Sequence, residues 1–287
     1  MSFTQKLGVF QSLFYAYCCI FVFFRIFMFN LVNMPIYTQA LVRKPGKNFS
    51  EGLTEAALSV PDFKMALQQH TRYVETLLEC GLKVTVLEAD ERYPDGCFVE
   101  DTAIITEKVA IITNPGAASR KGEEQAIKEV LSSYKSVLSI RPPGTLEGGD
   151  VLRVEDHFYI GVSKRTNPAG ADQLSKILEI HGYISSHVPV TNVLHLKTGV
   201  TYIQNNTVVI MEEFKDHPAF AHFNKIVISE ANSHVANCLP INDKLLIAKG
   251  HPGFRKQLAN WELEVVEMDM SEFGKMDGGL TCLSLLF

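Results

Sequence analysis

Residues 102–113 read TAIITEKVAIIT, and after a polar turn residues 122–134 read GEEQAIKEVLSSY. The first is a short apolar run rich in β-branched residues, which is strand chemistry; the second spaces its apolar residues for one face of a helix. The same change of period recurs along the chain. Strand-type runs are YTQALV, LKVTVLEA, DHFYIGVS, YISSHVPV, TYIQNNTVVIM, NKIVIS, DKLLIAKG and LEVVEMDM. Helical stretches stand between several of them. PDFKMALQQHTRYVETLLECG, residues 61–81, opens on Pro61 and Asp62 and stops at Gly81, and GADQLSKILEIHG stops at Gly182. Strands and helices alternate in units of a few tens of residues without a long linker, the pattern of one α/β domain. Similar groupings recur, but no residue-level repeat accompanies them.

The chain has 287 residues, 46% of them hydrophobic and 21% charged, with a formal net charge of −5. It can bury a large core, and it has no run of Lys and Arg to neutralise phosphates, so nucleic acid is not an expected partner. The six cysteines, Cys18, Cys19, Cys80, Cys97, Cys238 and Cys282, show no C-x-x-C pair and no histidine at zinc-ligand spacing. This points to a reducing, cytoplasmic setting with free thiols.

Residues 1–33 differ from the rest. From Leu7 to Val32 the sequence is almost unbroken Phe, Leu, Ile, Val, Tyr and Cys, with Arg25 as its one charge. That is long enough for a bilayer span, which takes about 20 apolar residues. It reads as a membrane anchor, as an uncleaved signal sequence, or as upstream sequence ahead of a true start at Met34, and the last is preferred. The domain is accordingly expected over residues 34–287, with a membrane partner only if the leader is translated.

Polar clusters interrupt the apolar pattern at PDGCFVED (94–101), NPGAASRKG (114–122), PPGTLEGGD (142–150), SKRTN (163–167), LHLKTG (194–199) and DGGLTC (277–282). Functional groups are usually mounted at such turns. Taken singly, each has a plain structural reading: His195 as a core histidine, Glu147 as a turn cap, Asp101 as a backbone acceptor, Arg120 and Arg165 as solvated charge. Cys97 and Cys238 read as small buried hydrophobes. Cys282, five residues from the end, reads equally as a buried thiol, a disulfide partner, a metal ligand or a nucleophile.

Together, CFVED, NPGAASR, EGGD, FYIGVSKRTN, VLHLKTG, ANC and DGGLTC, in that order, resemble the dimethylarginine dimethylaminohydrolases of the guanidine-modifying (pentein) superfamily. The resemblance covers essentially all of 34–287. It implies a single-domain five-bladed α/β propeller of ββαβ units around a polar channel. It implies Cys282 as nucleophile, His195 as general acid and base, and Glu147 as third catalytic group. It places Asp95, Glu100, Asp101, Arg120, Arg165, Leu53 of the lid-like EGLTE loop and Met276, through its backbone, on the substrate. It also implies a homodimer, though no stretch reads as an interface.

The chemistry fits those residue types. A methylated arginine carries a planar cationic guanidinium with only N–H donors, so its site must present acceptors. Adding a thiolate to that cation gives a neutral centre, which an oxyanion hole would oppose, so carboxylates such as Glu147 and Asp101 are expected around it. Arg120 and Arg165 would clamp the α-carboxylate and Asp95 balance the α-ammonium. Neither a metal nor an organic cofactor is required. Arginine deiminases, similar by motif, carry an aspartate two residues after the histidine; here Lys197 stands there, which favours methylated substrates. The rival readings are an arginine deiminase or amidinotransferase on the same scaffold and a membrane-tethered binding protein for arginine-like ligands.

Overall fold

The structure, a computed structural model, describes residues 36–259 and 261–287. Strand β1 (Gln39–Arg43) is followed by helix α1 (Phe63–Glu79) and strand β2 (Lys83–Leu87), which lies parallel to β1. Parallel neighbours require a crossover, and α1 supplies it. Asp62 caps α1 by accepting a hydrogen bond from Met65 N at 2.7 Å, and Gly81 beyond its end takes the left-handed φ of 85° that suits glycine.

The run at 102–113 folds as a hairpin. Its arms are β3 (Ala103–Ile105) and β4 (Ala110–Ile112), antiparallel, and helix α2 (Glu124–Leu131) leads to β5 (Val137–Ser139), parallel to β4. This ββαβ unit repeats. The third sheet has β6 (Val151–Val154), β7 (His157–Val162), helix α3 (Pro168–Ile180) and β8 (Ile184–Pro189). After the one-turn helix α4 (Leu196–Gly199) come β9 (Val200–Gln204), β10 (Thr207–Met211) and β11 (Asn224–Ile228). The fifth sheet holds β12 (Leu239–Ile241), β13 (Lys244–Ala248), helix α5 (Pro252–Gln257) and β14 (Glu264–Met268). In the fourth sheet the crossover helix is reduced to two 3-10 turns, Glu212–Phe214 and Pro218–Phe220.

The first sheet is completed from the far end of the chain. After α6 (Ser271–Gly274), strand β15 (Leu285–Leu286) pairs antiparallel with β1, Ala40 opposite Leu286 and Leu41 opposite Leu285. Five three-stranded sheets thus form a closed five-bladed α/β propeller. The first strand of each unit lies inside, where β15 touches β3, β6 touches β9, and β9 touches β12.

Burial follows the same radial order. The middle strands β4, β7 and β10 are buried on both faces along most of their length, whereas the outer strands β2, β8, β11 and β14 are only part-buried. Between blades the core is apolar; Tyr73 and Leu77 of α1 pack with Val42 of β1 and Phe273 of α6. Residues 36–287 form one compact unit. The hydrophobic leader, residues 1–33, lies outside the described residues. Among the described residues no helix is long and apolar enough to cross a membrane.

Candidate active site

A short helical turn precedes every inner strand. Val99–Thr102 leads into β3, Gly148–Asp150 into β6, α4 into β9, Glu230–Val235 toward β12, and Thr281–Leu283 into β15. These turns carry or adjoin Glu100 and Asp101, Glu147, His195, Asn237 and Cys282. Because the inner strands share one axis, side chains nearly the whole domain apart in sequence meet around a cavity of about 650 Å³. Cys282, His195, Asp101, Asp95, Arg120 and Arg165 line it, with Leu53 and Met276. Glu147 and Glu100 do not.

His195 and Glu147 form a close pair, Nε2 to Oε2 at 2.8 Å, with Asp101 Oδ1 3.8 Å from the same nitrogen. Gly149 N donates to Asp101 Oδ1 at 2.8 Å. A Cβ on Gly149 would stand 2.7 Å from His195 Nδ1, so the EGGD turn needs glycine to let the imidazole lie against it. Burial opposes a charged imidazole, but Asp101, the hydrogen bond to Glu147 and Asp150 together raise the His195 pKa to about 9. Glu147 has no exposed surface. Burial would lift its pKa, yet its bond to His195 and the nearby Arg120 and Arg165 hold it well below the usual carboxylate range.

This arrangement corrects one expectation. Both oxygens of Glu147 are engaged: Oε1 accepts from Gly116 N at 3.0 Å and Ala117 N at 3.2 Å, and Oε2 accepts from His195 and, at 3.2 Å, from Arg165. Glu147 therefore stands behind His195 rather than on the cavity wall where a guanidinium would meet it. Asp150, unassigned by the sequence, accepts from Leu196 N at 3.0 Å and Ser163 Oγ at 2.7 Å and so fixes the start of α4. Burial keeps its pKa raised.

Cys282 is partly exposed to the cavity, and Gly279 N donates to its Sγ at 3.3 Å. Burial, then the negative charges of Glu100 and Asp101, push its thiol pKa up, so without a ligand the sulfur stays protonated. Glu100, expected on the substrate, is turned away. Its Oε1 accepts from Lys197 Nζ at 2.6 Å and its Oε2 from Thr281 Oγ1 at 2.8 Å. These three residues line a second hollow of about 180 Å³ on the other side. Lys197 is thus neither a loose surface lysine nor a group on the cavity wall.

Arg120 is buried and bonded on three sides, to Asp101 Oδ2, to Phe98 O at 2.9 Å and to Glu123 Oε1 at 2.6 Å, while its Nε–H has no partner. Glu123 was not singled out by the sequence; burial raises it to about 7 even beside Arg120. Asp95 accepts from Leu53 N at 3.0 Å, and burial raises its pKa against the opposing pull of Arg120. The EGLTE loop is latched across the cavity mouth: Thr54 Oγ1 donates to Lys275 O at 3.0 Å, and Glu55 N donates to Asp277 Oδ2 at 2.6 Å. Asp101, Glu147 and His195 each offer one ligand atom within 4.8 Å of the others, spacing a small cation would accept.

A family model described as N,N dimethylarginine dimethylhydrolase, eukaryotic, matches residues 61–280. The N(G),N(G)-dimethylarginine dimethylaminohydrolase of Pseudomonas aeruginosa is 43% identical over 254 residues, covering 88% of this chain and 100% of that protein. A solved structure from Pseudomonas aeruginosa, a cysteine-to-serine variant complexed with citrulline, aligns with a TM-score of 0.87 at 42% identity over 88% of this chain and 100% of that one. A second, a histidine-to-glycine variant of a dimethylarginine dimethylaminohydrolase as its adduct with S-methyl-L-thiocitrulline, aligns with a TM-score of 0.86 at 42% identity and the same coverage.

Proposed function

The chain belongs to the dimethylarginine dimethylaminohydrolase family, and from that premise we propose that it hydrolyses free Nω-methylated arginine to citrulline, releasing dimethylamine from the asymmetric dimethyl form and methylamine from the monomethyl form. The observation that carries this reading is one cavity lined by a thiol, a cationic imidazole and two carboxylates, Cys282, His195, Asp101 and Asp95.

The chemistry starts from a protonated Cys282. A bound guanidinium adds a positive charge beside the sulfur and offsets Glu100 and Asp101, so when substrate is present the thiol gives its proton to solvent and the thiolate forms. Its attack on the guanidinium carbon makes the C–S bond and a neutral tetrahedral centre. The C–N bond to the methylated nitrogen then breaks as His195 gives that nitrogen its proton, leaving a thiouronium on Cys282. Neutral His195 next takes a proton from water as the oxygen adds to the same carbon. Collapse breaks the C–S bond as the hydroxyl proton passes to the departing sulfur, releasing citrulline and returning the cysteine thiol.

Glu147 acts in this scheme through His195, holding the ring and favouring its protonated state. Asp101 is the carboxylate open to the guanidinium. Arg120 and Arg165 are the donors for the substrate's α-carboxylate. Asp95 accepts the α-ammonium. Leu53 and the Met276 backbone close over the ligand. The reading includes a cytoplasmic location, where reducing conditions keep Cys282 a thiol, and a homodimer.

The test is product analysis with asymmetric dimethylarginine beside a Cys282→Ser control. Equimolar citrulline and dimethylamine, both abolished by the substitution, are expected. Ammonia from arginine without citrulline from dimethylarginine would move the protein to the deiminases, and silence on both substrates would refute the reading.

A further inference from the structure

The motif ANC, residues 236–238, has no task in the scheme above, yet its middle residue occupies the fourth of the five equivalent positions ahead of the inner strands. Asn237 is 7% exposed and its carboxamide sits on the cavity wall. Its side-chain hydrogen bonds all run to other turns of the site. Nδ2 donates to Thr281 Oγ1 at 3.0 Å and to Lys197 O at 3.0 Å, and Oδ1 accepts from Thr281 N at 3.0 Å. Thr281 precedes Cys282, and Lys197 lies two residues beyond His195.

One planar amide therefore spans the turn that bears the thiol and the turn that bears the imidazole. The span closes into a ring, because Thr281 Oγ1 also donates to Glu100 Oε2 and Lys197 Nζ to Glu100 Oε1. The carboxamide also explains the second glycine of the terminal pair. A Cβ on Gly279 would lie 2.4 Å from Asn237 Oδ1, so only glycine lets the strand of chain carrying the N–H to Cys282 Sγ pass the amide. A polar core residue with a purely local role would bond its own backbone neighbourhood. Asn237 instead bonds partners 40 and 44 residues away.

We propose that Asn237 is a positioning residue for this reaction, setting the separation and orientation of Cys282 relative to His195. The inference rests on the roles given to those two residues above. In-line attack and proton delivery to the leaving nitrogen both depend on that separation, whereas binding of the amino-acid end of the substrate does not. A displacement on the scale of an ångström in such a pair costs about a hundredfold in rate.

The experiment measures kcat and KM for asymmetric dimethylarginine in the full-length Asn237→Ala, Asn237→Asp, Thr281→Val and Asn237→Ala/Thr281→Val variants, with Cys282→Ser alongside. Asn237→Ala is expected to lower kcat by about 10- to 100-fold with KM moved less than about threefold, and the double variant to fall no further than the worse single one. Asn237→Asp keeps the shape and the acceptor for Thr281 N but loses both donated bonds, so it gives the same kcat loss and supplies the readout if the alanine variant does not fold. A folded Asn237→Ala or Asn237→Asp with parental kcat, or a loss confined to KM, overturns the positioning role. If Cys282→Ser is inactive in that case, the reaction itself stands; an active Cys282→Ser would bring down the reaction reading first.

Discussion

Replacing Glu147 with glutamine tests how the site keeps its acid. The carboxylate and carboxamide have nearly the same shape, so the change is in charge and in hydrogen-bond direction. Gly116 N and Ala117 N both point at Oε1, and the glutamine oxygen must take that place. Its NH2 group then faces His195 Nε2, which now stands 2.8 Å from a carboxylate oxygen. Only a neutral imidazole accepts such a bond. A hydrogen bond to a charged group is worth about 1.5–3 kcal/mol, and a pKa unit about 1.4 kcal/mol, so the loss amounts to about one to two units. From a starting value of about 9, His195 would then titrate between about 7 and 8. Because in the proposed mechanism protonated His195 supplies the leaving amine with its proton, the basic limb of kcat against pH should move down by that amount. The assay is citrulline formation at saturating substrate across the pH range, with NMR titration of the imidazole as a second readout. A basic limb that stays in place while the His195 resonance shifts would refute the assignment of His195 as the acid. Neither moving would refute the electrostatic role of Glu147.

Two further outcomes concern stability. Tyr73 is fully buried, its hydroxyl donates to Leu280 O at 2.9 Å and pairs with Ser284 Oγ at 2.8 Å, so Tyr73→Phe strands a buried carbonyl beside the Cys282 turn and should cost about 1–3 kcal/mol in urea unfolding; an unchanged midpoint would contradict this. His195 has a folded pKa of about 9 against 6.5 unfolded, so its contribution is whole below about pH 6.5, declines above it, and is lost as pH rises through about 9, a total of about 3 kcal/mol. Stability of the parent should therefore fall more steeply over that window than stability of His195→Asn, and equal slopes would contradict the shift.

Much of the fold was legible because its middle and outer strands are long enough to show their character. DHFYIGVS, TYIQNNTVVIM and DKLLIAKG all contain observed strands, and helix α1 begins and ends where Asp62 and Gly81 mark it. Three of the inner strands were not legible. β6, β12 and β15 span four, three and two residues, too few for a period, and their pairing is settled only when the ring closes. Helix α5 was missed for the same reason, at six residues. In the site, the residues standing in glycine-bearing turns were readable as a set. What the sequence could not reveal was direction. Glu100 and Asp101 are neighbours in one 3-10 turn, and a turn of that pitch points them apart, one to Lys197 and Thr281, the other to the cavity. Asn237 and Glu123 bond to partners distant in sequence or to a buried arginine, and the residue order does not reveal those partners.

The propeller also accounts for where the cysteine sits. Each blade contributes one turn ahead of its inner strand, and four of those turns fall inside the chain, at 99–102, 148–150, 196–199 and 230–235. In the first blade β1 is the middle strand. The inner place is filled by β15 from the other end, and the turn that precedes β15 is the fifth of the series. Cys282 is therefore late in the sequence for a topological reason: the strand after it, β15, closes the ring by pairing with β1. Phe287 completes that pairing, its N–H donating to Gln39 O at 3.0 Å and its carbonyl accepting from Gln39 N at 2.7 Å. The seam of the propeller and the proposed nucleophile are thus held by the same few residues, so loosening the β15–β1 pairing should disturb the sulfur before it disturbs any other group of the site.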